Sequence, residues 1–140
     1  MPATPPRLVA GGDIYPCRFI KLDIANDTTG IQATANSKIL GVARDETKHA
    51  PLNDLVTDNP HAEDGDRLGY LGPGEIGLLE LGDTVVRGDY LKSDADGKGV
   101  PIATTGTTLQ RYGAEALQSG ATGNKILVQV RPGSERPAIA

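Results

Sequence analysis

Short hydrophobic runs, each closed by turn residues, recur along almost the whole chain. The clearest is Lys125–Arg131, in which Ile126, Val128 and Val130 occupy every second position. Apolar residues at every second position lie on one face of a β-strand. Ten such runs are present, and we predict a strand for each: Cys17–Leu22, Ile31–Ala35, Lys38–Ala43, Arg67–Leu71, Gly77–Leu81, Asp83–Arg87, Asp89–Lys92, Val100–Thr104, Leu109–Ala116 and Lys125–Arg131.

Glycine and proline limit what else these runs can form. The chain has 18 glycines and 10 prolines among its 140 residues, and both residues weaken the interior of a helix. The only helical candidate is one or two turns around Ala114–Gln118. Ten short strands at this spacing predict an all-β fold, a small β-barrel or sandwich.

The chain divides into three segments by composition. Residues 1–13 carry three prolines and a Gly-Gly pair, so we predict an extended N-terminal arm. Residues 14–132 form a single β-rich domain, and residues 133–140 form a C-terminal tail. Within the domain, residues 45–66 are densely charged and show no regular period, which predicts a long surface loop.

An internal repeat of about 70 residues is visible in the strand pattern. Phe19–Asp23 precedes Gly30–Thr34 and then Gly41–Ala43; in the second half, Tyr90–Asp94 precedes Gly99–Thr104 and then Gly113-Ala114. Order and spacing agree to within a few residues. The pattern predicts two related β-meanders, although short strands between polar turns also resemble one another without being repeats.

Composition and charge exclude several classes of function. The net charge of −4 disfavours a nucleic-acid binder, which needs a basic face. No apolar run is long enough to span a membrane, and no signal peptide is recognisable. Leu, Ile, Val and Phe together number 32 of 140 residues, a thin core that favours self-association. The single cysteine fits synthesis in a reducing cytoplasm.

No group of side chains in the sequence forms a catalytic or metal-binding pattern. Cys17 lies at the edge of an apolar run and is interpreted as a small core residue. His49 and His61 lack ligand spacing and are interpreted as solvated loop residues. Asp94–Gly99 lacks the remaining ligands of a calcium loop and predicts a hairpin turn. Arg87-Gly88-Asp89 is interpreted as the start of a strand. We therefore expect no enzyme activity, no cofactor and no metal.

Taken in order, these elements resemble the capsid cement, or head decoration, proteins of tailed phages. The resemblance spans residues 8–132 and rests on the following segments: Gly12-Asp13-Ile14, Phe19–Asp23, Ile39–Ala43, Gly82–Lys92, Asp96–Gly99, Tyr112–Leu117 and Lys125–Arg131. Pro51–Glu63 is longer than the usual connection of that family.

The resemblance implies a structural virion protein without catalytic residues. It implies a homotrimer bound to the major capsid protein on the outside of the head, stabilising it against internal DNA pressure. We expect the N-terminal arm to contact the capsid or a neighbouring subunit through Pro2, Pro5, Pro6, Arg7 and Leu8. The alternatives are another virion β-module, such as a tail, baseplate or fibre-anchoring domain, and a surface module that binds carbohydrate for adhesion.

Overall fold

The computed structural model describes residues 8–25, 28–45, 61–103 and 108–135. Within these ranges there are ten strands and no helix, and the predicted all-β class is confirmed. The strands are β1 (Val9–Ala10), β2 (Phe19–Leu22), β3 (Thr29–Gln32), β4 (Gly41–Ala43), β5 (Tyr70–Leu71), β6 (Ile76–Glu80), β7 (Tyr90–Ser93), β8 (Gly99–Pro101), β9 (Gln110–Ala116) and β10 (Lys125–Glu135).

Two predicted elements differ from the structure. Asp83–Arg87 is not a strand, since only Val85 forms an isolated bridge, to Gly120. The helical candidate is also wrong, because Gln110–Ala116 is a strand paired with both β7 and β10. Val9–Ala10, within the predicted arm, pairs with β3, and β10 continues into the predicted tail as far as Glu135.

The strands form two five-stranded sheets that share the order of four strands and differ at the fifth, because β1 lies beside β3 whereas β6 lies beside β10. The first sheet runs β1-β3-β2-β4-β5, and the second runs β8-β7-β9-β10-β6. In both sheets a hairpin (β2–β3 or β7–β8) pairs through its first strand with the next strand of the chain (β4 or β9), and all of these pairs are antiparallel. The predicted repeat is therefore present, but its units are not meanders, because the third strand of each pairs with the first strand and not with the second.

The hydrogen bonds show that the repeat is precise at the level of single residues. The pairs Ile20–Gln32, Lys21–Ile31 and Leu22–Gly30 of the first hairpin correspond to Leu91–Pro101, Lys92–Val100 and Ser93–Gly99 of the second. The Asp23 N–H donates to the Thr29 carbonyl at 3.0 Å, and the Asp94 N–H donates to the Lys98 carbonyl at 2.9 Å. Phe19 therefore occupies the same place in the first unit as Tyr90 in the second.

The correspondence extends beyond the strands that the sequence pattern shows. In one turn, the Asp66 N–H bonds the Glu63 carbonyl at 2.9 Å; in another, the Asn124 N–H bonds the Ala121 carbonyl at 3.0 Å. Each turn contains a left-handed glycine, Gly65 or Gly123. Equivalent bonds also join Gly11 to Gly30 and Gly82 to Gly99, each at 2.9 Å. We call Leu8–Leu71 the first unit and Leu79–Arg131 the second unit.

Equivalent faces of the two units point in the same direction, so the front of the first unit packs on the back of the second. This arrangement creates two hydrophobic cores and, among the described residues, leaves the outer face of the second sheet uncovered. Phe19 and Val42 of the first sheet pack on Leu91 and other apolar residues of the second sheet. Successive residues of a strand point to opposite faces, so Ile20 points to the far side of the first sheet. There it belongs to a second cluster with Leu8, Ala10, Ile14, Ala43, Ala62 and Leu68.

The outer face of the second sheet has no comparable cover among the described residues. Tyr90 and Tyr112 stack there with ring centroids 4.5 Å apart. Arg131 and Glu115, at 3.1 Å, form an ion pair, and Ile76 and Leu127 expose 57% and 39% of their surface. This face mixes polar and apolar groups, as expected of a sheet that meets solvent on one side.

Candidate functional site

The structure describes one of the five residues predicted to contact a partner. Leu8 is buried in the second cluster of this chain's own core, where it packs close to Gly30. Pro2, Pro5, Pro6 and Arg7 lie outside the described residues. A contact made by these four residues therefore stays a prediction.

Cys17 is a core residue, as predicted. It is fully buried, and its backbone has a φ of 60° in the turn that precedes β2. Burial raises the pKa of the Cys17 thiol to about 12, and the negative charge of Asp45 adds to the increase. The thiol stays protonated at neutral pH, which is the opposite of what a nucleophilic cysteine requires.

His61 is not the solvated loop residue that the sequence suggested. Its Nε2 atom accepts a hydrogen bond from the Gly69 N–H at 3.1 Å, and the neighbouring Ala62 is fully buried. Residues 61–66 thus pack on the first sheet and are not part of a free loop. His49 and the rest of the predicted loop, residues 46–60, lie outside the described residues.

The Asp94–Gly97 turn is the predicted hairpin turn. The Asp94 Oδ1 atom accepts hydrogen bonds from the Asp96 and Lys98 N–H groups, at 2.8 and 2.9 Å, and Gly97 has a φ of 80°. The carboxylate is thus directed at its own backbone. Across the described part of the chain, no three His, Cys, Asp or Glu side chains come close enough to hold a metal ion.

Arg87-Gly88-Asp89 forms a tight turn ahead of β7 and does not begin the strand. The Asp89 Oδ2 atom accepts a hydrogen bond from the Val86 N–H at 2.9 Å, and Gly88 has a φ of 97°. Val86 and Asp83 remain exposed beside it. We refer to Asp83–Asp89 as the acidic turn.

A concave surface lies at the end of the β2–β3 hairpin. It is an open groove of about 570 Å³, which we call the hairpin groove. Leu22 and Ile24 expose 54% and 101% of their surface in it. Its lining is mainly aliphatic, with ammonium groups at the sides: Lys21, Leu22, Asp23, Ile24, Ile31, Ser37, Lys38, Ile39 and Leu40.

The hairpin groove contains two lysines, Lys21 and Lys38, and one carboxylate, Asp23. Lys21 donates to the Thr34 hydroxyl at 3.1 Å, and Lys38 is exposed. Neither lysine forms an ion pair with a carboxylate of the described residues. A contiguous exposed apolar patch with charged rims is typical of a protein interaction site. The sequence pattern did not indicate this site, because Leu22 belongs to an ordinary predicted strand and Ile24 belongs to no predicted element.

No described helix is long and apolar enough to cross a membrane. No family model matches the chain, and no curated protein matches it. Among solved structures, the chain is similar to the head fiber gp8.5 N base of bacteriophage phi29, with a TM-score of 0.58 and 16% sequence identity. The similarity covers 89% of this chain and 90% of that one. At this identity the comparison establishes a shared fold along nearly the whole of both chains.

Proposed function

We propose that this protein is a structural component of a bacteriophage particle and is attached to the outside of the capsid. The observation that carries the proposal is the fold shared with a phage head fiber base over about nine tenths of both chains. The order of motifs that resembles the capsid cement family supports the same class. The state of Cys17 agrees with a structural role, since its thiol is buried in the core and stays protonated at neutral pH.

Within this class we propose a cement role, carried out as a homotrimer bound to the major capsid protein. A protein that binds only the assembled shell stabilises it by RT ln(1 + [L]/Kd) for each site, about 2.7 kcal/mol at a hundredfold excess over Kd. Summed over many sites, modest affinity resists internal pressure without any catalytic group. The arm residues Pro2, Pro5, Pro6 and Arg7 would supply part of the contact.

A second candidate is the base of a surface fibre, which the similarity to a phage head fiber base favours. Both candidate functions require attachment to the head, but they differ in what the protein contributes to the particle. A cement protein is needed for the strength of the shell, whereas a fibre base carries an appendage and leaves the strength of the shell unchanged.

Particles with and without the protein distinguish these functions. For a cement protein, depleted heads assemble but release DNA at lower temperature or after osmotic shock, and purified protein restores their stability. For a fibre base, depleted heads are as heat-stable as complete ones and lose only attachment to host cells. Failure of the purified protein to bind heads at all would overturn both.

The contribution of the arm needs a deletion that spares the core. Because Leu8 is buried within the chain, residues 2–7 are removed and Leu8 is kept. We expect the variant to fold and to occupy fewer sites on the head. Unchanged occupancy would refute the arm contact, while the proposal of a capsid-attached protein would stand.

A further inference from the structure

A second groove lies where the first unit meets the end of β9 and β10 in the second unit. It has a volume of about 400 Å³, and we call it the junction groove. Sites for small molecules have volumes of about 300–1,000 Å³ and occur preferentially at the interfaces between domains. The walls of the junction groove are largely aliphatic or aromatic: Ile39, Leu109, Tyr112 and Pro132.

The polar side chains of the junction groove are two cations and one hydroxyl. Lys38 and Arg111 are exposed, and Ser134 lies opposite Arg111 across β9 and β10. Neither cationic side chain forms a hydrogen bond or an ion pair within the described part of the chain, and none of the described residues that line the groove carries a carboxylate. Asp23, in the hairpin groove that Lys38 also borders, accepts a bond from the Ala25 N–H. The junction groove is therefore basic, although the chain as a whole has a net charge of −4.

Contacts between the units fix the backbone on both sides of the junction groove. Asn36, two residues before Lys38, bonds two backbone groups of the second unit through its side-chain amide, one of them the Arg111 N–H at 2.9 Å. Gly113 allows the two segments to approach closely, because a Cβ atom there would lie 2.5 Å from a methyl carbon of Ile39. The groove is thus formed by the fold itself, and a preformed site loses little conformational freedom when it binds a ligand.

Lys38 and Arg111 occupy equivalent positions in the two units. Each stands four residues before the residue, Val42 or Glu115, that pairs with the first residue of its unit's hairpin. The repeat therefore brings one basic residue from each unit to the same groove. Two cations on fixed backbone segments can bind a single oxyanion from two sides, and hydrogen bonds to such a charged group are stronger than those between neutral groups.

We propose that the junction groove binds a small sugar that carries a carboxylate or phosphate group. The oxyanion would lie between Lys38 and Arg111, since a guanidinium matches the geometry of both groups. The apolar C–H surface of the sugar ring would pack on Leu109 and Pro132, and a sugar hydroxyl would bond Ser134. A groove of this volume suits a small ligand better than a protein, because stable protein interfaces cover about 800 Å² on each partner. This binding site is additional to attachment to the capsid and does not depend on it.

Titration of the full chain, followed by the NMR shifts of its backbone amides, tests the site directly. The probes are glucose 6-phosphate and glucuronate, with glucose as the neutral control. We expect the amides of Arg111 and Ser134 to shift with at least one anionic sugar, with a Kd of about 1 mM or lower, and not to shift with glucose. Unchanged shifts with both anionic sugars at about 10 mM, well above that Kd, would overturn the proposal.

Neutral variants separate this site from a general attraction of anions to the protein surface. Lys38→Gln combined with Arg111→Gln changes two exposed positions, which the fold tolerates, and should weaken binding of the anionic sugar by about tenfold or more. The matched control is Arg87→Gln, which removes an exposed arginine from the acidic turn and should bind as wild type does. Equal weakening in the double variant and in the control would refute the site.

A variant that fills the groove without changing its charge tests the sugar itself. Ser134→Phe, at an exposed position, should weaken binding of the anionic sugar more than binding of inorganic phosphate, because only the sugar needs the space beside the cations. Equal effects on the two ligands would reduce the site to one for a bare anion and contradict the proposal. If wild type binds neither sugar but the double variant no longer binds heads, the groove recognises an acidic segment of the shell and the sugar proposal is wrong.

Discussion

Phe19 and Tyr90 hold the same position in two copies of one structural unit, yet Phe19 is fully buried between the sheets and Tyr90 lies half-buried on the outer face. Each carbonyl accepts a bond from the strand that follows, from Ala33 at 2.9 Å and from Ile102 at 3.1 Å. The units stack in the same sense, so the face of the first unit that carries Phe19 packs on the second unit. The corresponding face of the second unit, with Tyr90, is not covered by any other sheet of the described residues.

Because the two rings differ in burial, replacing each by alanine should lower the free energy of unfolding by different amounts. Phe19→Ala removes a fully buried aromatic ring and should lower the free energy of unfolding by about 3–5 kcal/mol. Tyr90→Ala removes a partly exposed ring that stacks on Tyr112 and should cost about 1–2 kcal/mol. Urea denaturation of both variants measures the difference. Similar losses at the two positions would contradict the burial of Phe19 between the sheets.

The buried thiol of Cys17 predicts a dependence of stability on alkaline pH. Its pKa is raised from 9.0 to about 12 in the folded protein, so above pH 9 the unfolded chain loses a proton that the folded chain retains. Stability contributed by this group is therefore complete below pH 9 and falls by about 1.4 kcal/mol per pH unit up to about pH 12. Denaturation of wild type and Cys17→Ala across this range isolates the effect of the thiol from that of lysine and tyrosine. The free energy of unfolding should fall less steeply with pH in the variant. Parallel curves for the two proteins would exclude this effect of the thiol.

Asp94 and Asp23 offer a second comparison between equivalent positions. Asp94 accepts bonds from two backbone N–H groups, of Asp96 and Lys98, whereas Asp23 accepts one from the described residues, from Ala25 at 3.0 Å. Asp94→Ala also loosens the turn that docks on Arg18. We expect Asp94→Ala to cost about 2 kcal/mol and Asp23→Ala about 0.5–1 kcal/mol. Thermal unfolding of the two variants tests the order, and a larger loss for Asp23→Ala would contradict it.

Asn36 joins the two sheets and has a φ of 53°. Its Nδ2 donates to the Leu109 carbonyl and its Oδ1 accepts from the Arg111 N–H, both at 2.9 Å. Asn36→Gly removes these side-chain hydrogen bonds, but glycine adopts the left-handed backbone conformation without strain. Asn36→Ala removes the same bonds and also strains the backbone. We expect Asn36→Ala to be less stable than Asn36→Gly by about 1 kcal/mol. Equal stability of the two variants would show that the backbone conformation contributes nothing.

The sequence by itself determined the fold class and part of the repeat. Alternating residues such as Ile126, Val128 and Val130 fix a strand because one of its faces must be buried. Glycines and prolines close each run before a helix can form. The likeness of Phe19–Asp23 to Tyr90–Asp94 was also visible, since both segments begin with an aromatic and an aliphatic residue and end in an aspartate that bonds its own backbone.

Only the tertiary structure decided how the two units are related and which surfaces remain free. Turns such as Glu63–Asp66 and Ala121–Asn124 share hydrogen bonds but little sequence, so their equivalence is a matter of backbone geometry. Val9–Ala10 reads as part of an arm because a strand of two residues has no periodicity of its own; its pairing with β3 supplies the hydrogen bonds. Whether Leu22 and Ile24 lie in a core or in solvent depends on what packs on their hairpin, and no local pattern contains that information. The turn of the second hairpin packs on the first unit, whereas Leu22 and Ile24 of the first hairpin are exposed among the described residues, because two stacked units provide one internal interface.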